Sequence, residues 1–375
     1  MKVLYLTNLA SPYRVDFFNE LSKYCDLTVL FERKKAADRD DEWYSNNYKF
    51  KAIFLNSKNI GNEAGLSFEV IKYLKENFDH IILGGYSTPT AMIASTYMKL
   101  HKIPYILNAD GGFINDNERK LNYLIKKHFI SSASYWLSSG KETNKYLEYY
   151  GAEKEKIFNF PFTSLREKDI LKECISDEER DRLRVEYNVP YKKVIISIGQ
   201  FIHRKGFDWM IESYKDLDKD IGIYIIGGKP TDFYIDLKNK YQMSNLHFID
   251  FQDKENILNW YRLADLFVFP TREDIWGLVI NEAMSQGLPV ITTNKCLAGL
   301  ELITQEENGY IVECENKKEL LERTNQYFNL NQNEKEKIQM ETLKTIQKYS
   351  IEDMSKEHIK ILKNNLKYFT GANYE

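Results

Sequence analysis

Apolar residues along the chain fall into two series of short runs, and most runs are followed by a segment with helical spacing. The first series is "KVLYLT" (2–7), "DLTVLF" (26–31), "KAIFL" (51–55), "HIILGG" (80–85), "PYILNAD" (104–110) and "SYWLSSG" (134–140). Stretches such as "VDFFNELSKY" and "FEVIKYLKEN" lie between them and place apolar residues on one helical face. Continuous apolar strands that alternate with helices predict a parallel sheet covered on both faces.

A second series of the same kind follows a polar, highly charged segment. Its runs are "KVIISIGQ" (193–200), "GIYIIGG" (222–228), "LHFIDF" (246–251), "LFVFPT" (266–271), "PVITT" (289–293) and "GYIVE" (309–313). We therefore predict an α/β protein with two Rossmann-like, doubly wound parallel sheets. The predicted boundaries are a first domain over 1–165, a linker region over 166–190, a second domain over 191–350 and a C-terminal helix over 351–375.

The C-terminal helix is predicted from "YSIEDMSKEHIKILKNNLKYF", in which apolar and basic positions separate onto opposite faces. The apolar positions are Ile351, Met354, Ile361, Leu362, Leu366 and Phe369, and the basic ones are Lys356, Lys360, Lys363 and Lys367. Such a helix either packs on the second domain or crosses to the first, and the sequence leaves both open.

Composition narrows the class of protein. The chain has 375 residues, which suggests roughly two domains, and 52 basic against 55 acidic residues give a net charge of −3, so nothing points to nucleic acid. Cys25, Cys174, Cys296 and Cys314 form no CxxC pair, which is typical of reduced cytoplasmic thiols. No run of about 18 apolar residues and no signal-peptide pattern is present, so we expect a cytoplasmic protein.

The segment "TREDIWGLVINEAMSQGLPVITTN" (271–294) contains the first candidate site. A helix is expected to start at Gly277 or Leu278, and its first amides, near Leu278 and Val279, have no intrahelical partners. A phosphate or diphosphate there would accept hydrogen bonds from them, and Gly277 would permit close approach of the backbone.

Two acids flank this expected helix start. Asp274 precedes it and Glu282 lies about one turn inside, and carboxylates so placed can accept hydrogen bonds from sugar hydroxyls. The alternative is that Asp274 caps the loop and Glu282 lies on a solvated first turn.

Two further strand ends carry glycines and cations. "SIGQFIHRKGFDWMIES" places Gly199 after a strand and then Arg204 and Lys205 before the next helix, and "IIGGKP" places Gly227 at another strand end. Taken singly, the basic pair is as consistent with a solvated surface and the Gly-Gly with an ordinary turn. Together, three such turns indicate a ligand that is part diphosphate and part sugar, which is a nucleotide sugar.

The second half of the chain resembles the donor domain of the retaining GT-B glycosyltransferases of family four. The matching elements are "IGQFIHRKGFD", "YIIGG", "HFIDF", "LADLFVFPTREDIWGLVINEAMSQGLPVITT" and "NGYIV", over roughly 193–315. The long element reproduces the family's signature of an acid, seven residues and a Glu. The resemblance implies a GT-B fold with two domains facing across a cleft, no metal, and no cofactor besides a nucleoside diphosphate sugar as co-substrate.

The resemblance also implies roles for individual residues. Glu282 corresponds to the acid that binds the ribose, Asp274 to the acid that binds the donor sugar, and Lys205 to a cation on the diphosphate. Gln200 stands where the family usually has an Arg, a loss for which Arg204 is the candidate replacement, and Asp274 is one methylene shorter than the commoner Glu. Lys205, Arg204 and Asp274 are therefore the catalytic candidates on this side. The donor-binding candidates besides Glu282 are Gly199, Gly227, Phe251, Gly277, Leu278 and Val279.

In the first domain, "TNLASPYRVDFFNEL" resembles a subgroup with Pro-Tyr-Arg after the first strand, which makes Asn8, Tyr13 and Arg14 acceptor-side candidates. "LNADGGF" places Asp110 where many relatives carry a cleft histidine, so Asp110 is a further catalytic candidate. A surface Arg14 and an ordinary Asp-Gly turn are the alternatives.

Together with these residues, the resemblance implies a retaining, metal-independent hexosyltransferase. It would move a sugar from a nucleoside diphosphate sugar, with UDP favoured, to a hydroxyl of a glycan or lipid-linked acceptor in bacterial capsule or lipopolysaccharide synthesis. Three alternatives stay open: a nucleotide-sugar epimerase, a glycoside hydrolase using Asp274 and Glu282, and a non-enzymatic sugar-nucleotide-binding protein.

A basic amphipathic pattern suggests a second partner. "ERKLNYLIKKHF" (118–129) sets its apolar positions Leu121, Leu124, Ile125 and Phe129 against the basic Arg119, Lys120, Lys126 and Lys127. Such a helix can lie on an anionic membrane surface, which predicts peripheral contact with the inner face of the cell membrane. The alternative is a helix that packs its apolar face into the core.

Overall fold

The structure, a computed structural model, describes residues 1–34, 47–61, 64–115 and 117–365. Its internal contacts divide the chain into two units: Met1–Ser164 together with the residues from Tyr349 onward, and Leu165–Lys348. Leu366, Lys367 and Phe369 of the predicted C-terminal helix lie outside the described residues.

The first unit contains nine described strands. They are β1 (Lys2–Leu9), β2 (Asp26–Arg33), β3 (Lys51–Phe54), β4 (Lys58–Ile60), β5 (Ala64–Leu66), β6 (His80–Leu83), β7 (Ile106–Ala109), β8 (Tyr135–Ser138) and β9 (Ile157–Asn159). Seven of them form a parallel sheet in the order β3-β2-β1-β6-β7-β8-β9, while β4 and β5 form a separate antiparallel pair. The order reverses between β1 and β6, so the carboxyl ends of these two strands flank a topological switch point, where ligands bind in such sheets.

The second unit contains six described strands in one parallel sheet. They are β10 (Lys193–Ile198), β11 (Ile221–Ile226), β12 (Leu246–Ile249), β13 (Leu266–Phe269), β14 (Val290–Thr293) and β15 (Gly309–Val312). Their order is β12-β11-β10-β13-β14-β15, so the switch point lies between β10 and β13. The prediction of two doubly wound parallel sheets is confirmed.

Helices cover the faces of both sheets. Those of the first unit are Pro12–Leu21, Val70–Leu74, Pro89–Leu100, Lys120–Ile130, Lys141–Tyr149 and Ile351–Lys360. Those of the second unit are Asp177–Glu186, Phe207–Ser213, Asp232–Lys240, Lys254–Leu263, Leu278–Ser285, Leu297–Leu302, Lys317–Asn329 and Gln332–Ile346. Each central strand is buried almost throughout, because it is covered from both sides.

Two helices lie in segments for which the sequence had suggested a linker or a crossing. Asp177–Glu186 falls within 166–190 and packs on Lys254–Leu263 in the second unit. Ile351–Lys360 belongs to the first unit and packs on Pro12–Leu21, and a π-helical turn, Ile361–Asn365, continues it.

Candidate functional site

Two loops of the second unit meet at the switch point between β10 and β13. The indole Nε1 of Trp209 donates to the carbonyl of Pro270 at 2.8 Å, and the amide of Arg272 donates to the carbonyl of Arg204 at 2.8 Å. The hydroxyl of Thr271 donates to the same carbonyl at 3.0 Å. The loop after β13 therefore holds the basic turn that follows β10 in a fixed position.

Gly206 makes this close approach possible. Its φ is +74°, and a Cβ atom at this position would lie 1.9 Å from the carbonyl oxygen of Pro270. Any other residue would be strained in its backbone and would also push the two loops apart.

Asp274 and two cations form the centre of the site. The Oδ2 atom of Asp274 lies 2.7 Å from Nζ of Lys205 and 3.2 Å from Nη1 of Arg204. The side chains of Lys205 and Asp274 are each 14% exposed, whereas that of Arg204 is 47% exposed. Nζ of Lys205 also lies 4.8 Å from the ring centroid of Phe269, within the range of a cation–π contact. The fold thus brings Asp274 into contact with two cations that precede it by 69 and 70 positions. Arg204 and Lys205 are therefore not an isolated surface pair.

The main chain of Asp274 fixes where its carboxylate lies. Its amide donates to the carbonyl of Lys295 at 2.8 Å, and its carbonyl accepts from the amide of Leu297 at 3.2 Å. One carboxylate oxygen also accepts from the amide of Trp276 at 3.4 Å. The N-cap of helix Leu278–Ser285 is Gly277, so Asp274 stabilises its loop but does not cap the helix.

The helix at this site begins at Leu278, as the sequence predicted. Gly277 has a φ of +99°, and a Cβ there would lie 2.7 Å from the sulfur of Cys296. The amides of Leu278 and Val279 lie in the first turn, where the helix has no carbonyl to accept from them. This terminus therefore presents the positive end of the helix dipole beside Asp274.

Glu282 lies on the same helix and contacts a buried tyrosine. The hydroxyl of Tyr261 donates to Oε2 of Glu282 at 3.2 Å and lies 3.4 Å from the carbonyl oxygen of Val279. Burial, with the nearby Glu282 carboxylate, raises the pKa of Tyr261 well above its ordinary value. Tyr261 comes from helix Lys254–Leu263, and the sequence gave no local signal for this contact.

The other donor-binding candidates follow neighbouring strands. A Cβ on Gly227 would lie 1.8 Å from the carbonyl oxygen of Gly199, so the turns after β10 and β11 are in backbone contact. Phe251 follows β12 and is 75% exposed, and Gln200 is also exposed. Because carboxyl ends of parallel strands meet at one edge, all these positions border the same side of the sheet as Asp274.

Arg272 is a second residue that the sequence reasoning missed. Its guanidinium binds Asp208 through two hydrogen bonds of 2.8 Å, and it donates to the carbonyl of His203 at 2.6 Å and to Glu315 at 2.5 Å. These bonds raise the pKa of Arg272 above its ordinary value. Arg272 therefore braces the turn His203–Lys205 that carries both cations.

In the first unit, Arg14 and Asp110 form an ion pair above the ends of β1 and β7. Arg14 is 5% exposed, so the alternative of a surface arginine is wrong. Asn108 donates to Oδ1 of Asp110 at 2.9 Å, and the guanidinium lies 5.5 Å from the ring centroid of Tyr13. Burial raises the pKa of Asp110, and the adjacent Arg14 charge opposes that shift.

Asn8 is not in contact with that pair through its side-chain oxygen. This oxygen accepts hydrogen bonds from the amide of Leu9 at 2.9 Å and the hydroxyl of Thr7 at 3.4 Å. The structure thus joins Arg14, Tyr13 and Asp110 and turns the carbonyl of Asn8 toward its own strand.

The basic amphipathic segment forms the helix Lys120–Ile130. Leu121, Leu124 and Ile125 share one face and are 68%, 50% and 39% exposed. On another face Lys126 pairs with Glu118 at 2.6 Å, and Tyr123 and Ile130 pack in the core of the first unit. Leu121, Leu124 and Ile125 therefore do not form a core face, whereas Phe129, the fourth apolar position, is half-buried.

Neither a metal site nor a membrane span is visible in the part of the chain that the structure describes. Within residues 1–34, 47–61, 64–115 and 117–365, no cluster of three His, Cys, Asp or Glu side chains could hold a metal ion. None of the helices in those ranges has the length and apolar character needed to cross a bilayer.

Known structures share this architecture along nearly the whole chain. The structure of Anabaena HepE in complex with UDP-glucose superposes with a TM-score of 0.75, covering 98% of this chain and 100% of that chain, at 13% identity. At such low identity the similarity establishes the fold, which is GT-B: two Rossmann-like units in one chain.

Sequence comparisons add the family. Residues 179–345 match the family described as Glycosyl transferases group 1. The lipopolysaccharide core biosynthesis mannosyltransferase LpsB of Rhizobium meliloti is 33% identical over 143 residues, which cover 36% of this chain and 40% of LpsB. The uncharacterized glycosyltransferase MJ1178 of Methanocaldococcus jannaschii is 23% identical over 309 residues, 77% of this chain and 78% of that protein.

The match to the glycosyl transferases group 1 covers somewhat less than half of the chain and includes Lys205, Asp274 and Glu282, while the fold of the chain is GT-B. The resemblance noted from the sequence is thereby confirmed. The match to LpsB spans less than half of the length of that protein.

Proposed function

We propose that this protein transfers a sugar from a nucleoside diphosphate sugar to an acceptor hydroxyl with retention of the anomeric configuration. The observation that carries the proposal is the convergence of Lys205, Arg204 and Asp274 on the start of helix Leu278–Ser285. A site with cations, unpaired helix amides and a hydroxyl-binding carboxylate suits a diphosphate joined to a sugar.

In this reaction the bond between the anomeric carbon and the diphosphate oxygen breaks, and the acceptor oxygen bonds to the same face of the sugar. The proton of the acceptor hydroxyl passes to the departing phosphate oxygen. Lys205, Arg204 and the amides of Leu278 and Val279 stabilise the negative charge that develops there. Asp274 binds donor-sugar hydroxyls, and Glu282 binds the ribose.

We favour UDP as the nucleotide and a surface polysaccharide as the product. The structurally similar HepE was crystallised in complex with UDP-glucose, and LpsB is named for lipopolysaccharide core biosynthesis. On the acceptor side, Asp110 offers a partly exposed carboxylate fixed by Arg14, which suits a contact with the acceptor hydroxyl.

A panel of UDP-, GDP- and dTDP-sugars tests the proposal, first by thermal stabilisation and then by transfer to glycan acceptors. Binding to the folded protein raises the melting temperature. The Glu282→Ala variant should lose transfer while keeping its fold, and full activity in that variant would refute the assignment. Release of sugar from an oligosaccharide without a nucleotide would indicate a hydrolase, and conversion of the donor without acceptor an epimerase.

Peripheral binding to an anionic membrane is the second part of the proposal. Helix Lys120–Ile130 contains no acidic residue in a chain of net charge −3, and Lys120 and Lys127 flank its exposed apolar face. Exposed leucine and isoleucine can enter the headgroup region while the cations meet anionic lipid.

Sedimentation with vesicles tests this part. Vesicles containing anionic lipid should carry the protein down, and neutral vesicles should carry less. Leu124→Ser should weaken binding, while Val185→Ser, at an exposed position on helix Asp177–Glu186, should not. Equal sedimentation of wild type and Leu124→Ser would contradict membrane contact through this helix.

A further inference from the structure

A buried tyrosine hydroxyl lies against the helix Leu278–Ser285, which begins at the candidate site. Tyr261 is 0% exposed, and its ring packs edge-on against Phe267 with centroids 5.5 Å apart. A phenylalanine would fill the same apolar space without bringing a polar atom into it. The hydroxyl is therefore not explained by packing.

The partners of this hydroxyl both belong to the helix that begins the site. Oε2 of Glu282 accepts from it at 3.2 Å, and the carbonyl oxygen of Val279 lies 3.4 Å away. Between them the charged carboxylate is the nearer and the stronger acceptor. The raised pKa of Tyr261 keeps the phenol protonated, so that it acts as a donor across the physiological range.

We infer that Tyr261 is a positioning residue that sets the orientation of the Glu282 carboxylate toward the ribose hydroxyls of the donor. This inference rests on the proposed function, in which Glu282 binds the ribose. Glu282 has several rotatable bonds, and a hydrogen bond from a rigid, fully packed ring restricts them before the donor arrives. Tyr261 itself contacts no part of the donor in this arrangement.

Discrimination between two nucleotides measures this role. Wild-type protein should bind UDP more tightly than 2′,3′-dideoxy-UDP, because only UDP offers hydroxyls to Glu282. Tyr261→Phe should weaken UDP binding about tenfold, because a Glu282 carboxylate that is no longer held in place binds the ribose hydroxyls less well. The affinity for the dideoxy analogue should stay unchanged, because that analogue has no hydroxyls for Glu282 to bind. The two affinities are measured in the same variant, so their ratio does not depend on stability.

Tyr214→Phe is the matched control. Tyr214 is a fully buried tyrosine of the same unit, and its hydroxyl hydrogen-bonds that of Thr324 at 2.7 Å. Its loss should affect stability much as the loss of the Tyr261 hydroxyl does, but it should leave the preference for UDP intact. In a double-mutant cycle, Tyr261→Phe should cost almost nothing more once Glu282→Gln is present.

The outcomes separate this inference from the function on which it rests. If Glu282→Gln removes the preference for UDP and Tyr261→Phe retains it, the positioning role is refuted and the proposed function stands. Equal weakening of both nucleotides by Tyr261→Phe also refutes it, because that is the effect of a general structural defect. If wild-type protein binds neither nucleotide, or Glu282→Gln binds both as wild type does, the proposed function fails and the inference fails with it.

Discussion

Lys205 provides the sharpest test of how the site holds a diphosphate. The change Lys205→Met removes the ammonium group and retains most of the length and apolar surface of the side chain. In the structure this ammonium is 2.7 Å from Oδ2 of Asp274 and over the ring of Phe269, and 14% of the side chain is exposed. The lysine is therefore already placed, and little conformational entropy is lost when a phosphate binds to it.

The size of the effect follows from the interaction that is lost. A hydrogen bond to a charged partner contributes about 1.5–3 kcal/mol, which predicts about 10- to 150-fold weaker binding of UDP. Because charge on the diphosphate increases as the donor bond breaks, kcat should fall further, by about 10²–10³. The free energy of unfolding should fall by only about 1 kcal/mol, since Arg204 still lies 3.2 Å from Asp274.

Isothermal titration calorimetry with UDP and with uridine separates the contribution of the diphosphate to binding from that of the nucleoside. Uridine lacks the diphosphate, so its affinity should be the same in wild type and Lys205→Met. Lys318→Met is the control, because Lys318 is an exposed lysine on helix Lys317–Asn329 of the same unit. Equal loss of affinity for uridine, or unchanged affinity for UDP, would refute the placement of the diphosphate beside Lys205.

Three further predictions follow. Arg272→Lys should weaken UDP binding and lower the free energy of unfolding by about 1–2 kcal/mol, because lysine cannot reproduce the two 2.8 Å bonds to Asp208. Gly206→Ala should cost about 3 kcal/mol or more in a denaturant titration, since it combines a φ of +74° with a contact at 1.9 Å to Pro270. Burial lowers the pKa of His358 to about 4 from 6.5, so the stability it contributes is complete above about pH 6.5 and is lost between pH 6.5 and 4, by about 3 kcal/mol. His358→Gln should therefore flatten the dependence of unfolding free energy on pH in that window.

Each of these has its own check. Gly228→Ala shares the positive φ of +103° but has open space around its Cβ, so an equal cost in both glycine variants would contradict the steric argument. If Arg272→Lys binds UDP as tightly as wild type does, the contacts of Arg272 do not position Arg204 and Lys205 for binding. An unchanged pH slope in His358→Gln would assign the acid sensitivity to other groups.

The sequence predicted the sheets well because their strands are continuous apolar runs between turn residues. All six strands of the second sheet appear where such runs occur. The strands that were missed, β4 (Lys58–Ile60), β5 (Ala64–Leu66) and β9 (Ile157–Asn159), are three residues long and partly polar or exposed, so no periodicity distinguishes them from loop.

The partners of the candidate residues could not be predicted from the same patterns. Asp274 and Lys205 are 69 positions apart, and Tyr261 and Glu282 are 21 apart, so their contacts depend on which strands are neighbours. Helical spacing of Leu121 and Leu124 also could not show whether their face is covered, because a core face and an exposed face have the same period.

The position of helix Ile351–Lys360 has a consequence for how the chain is made. This helix packs on Pro12–Leu21, yet it follows the whole of the second unit in the sequence. During translation the first unit therefore cannot complete its packing until this last helix has been synthesised. Until then Phe17 lacks its contact with the ring of His358, whose centroid lies 4.8 Å away in the folded protein. A nascent chain stalled before residue 349 would leave the face of helix Pro12–Leu21 that packs on Ile351–Lys360 open to chaperones.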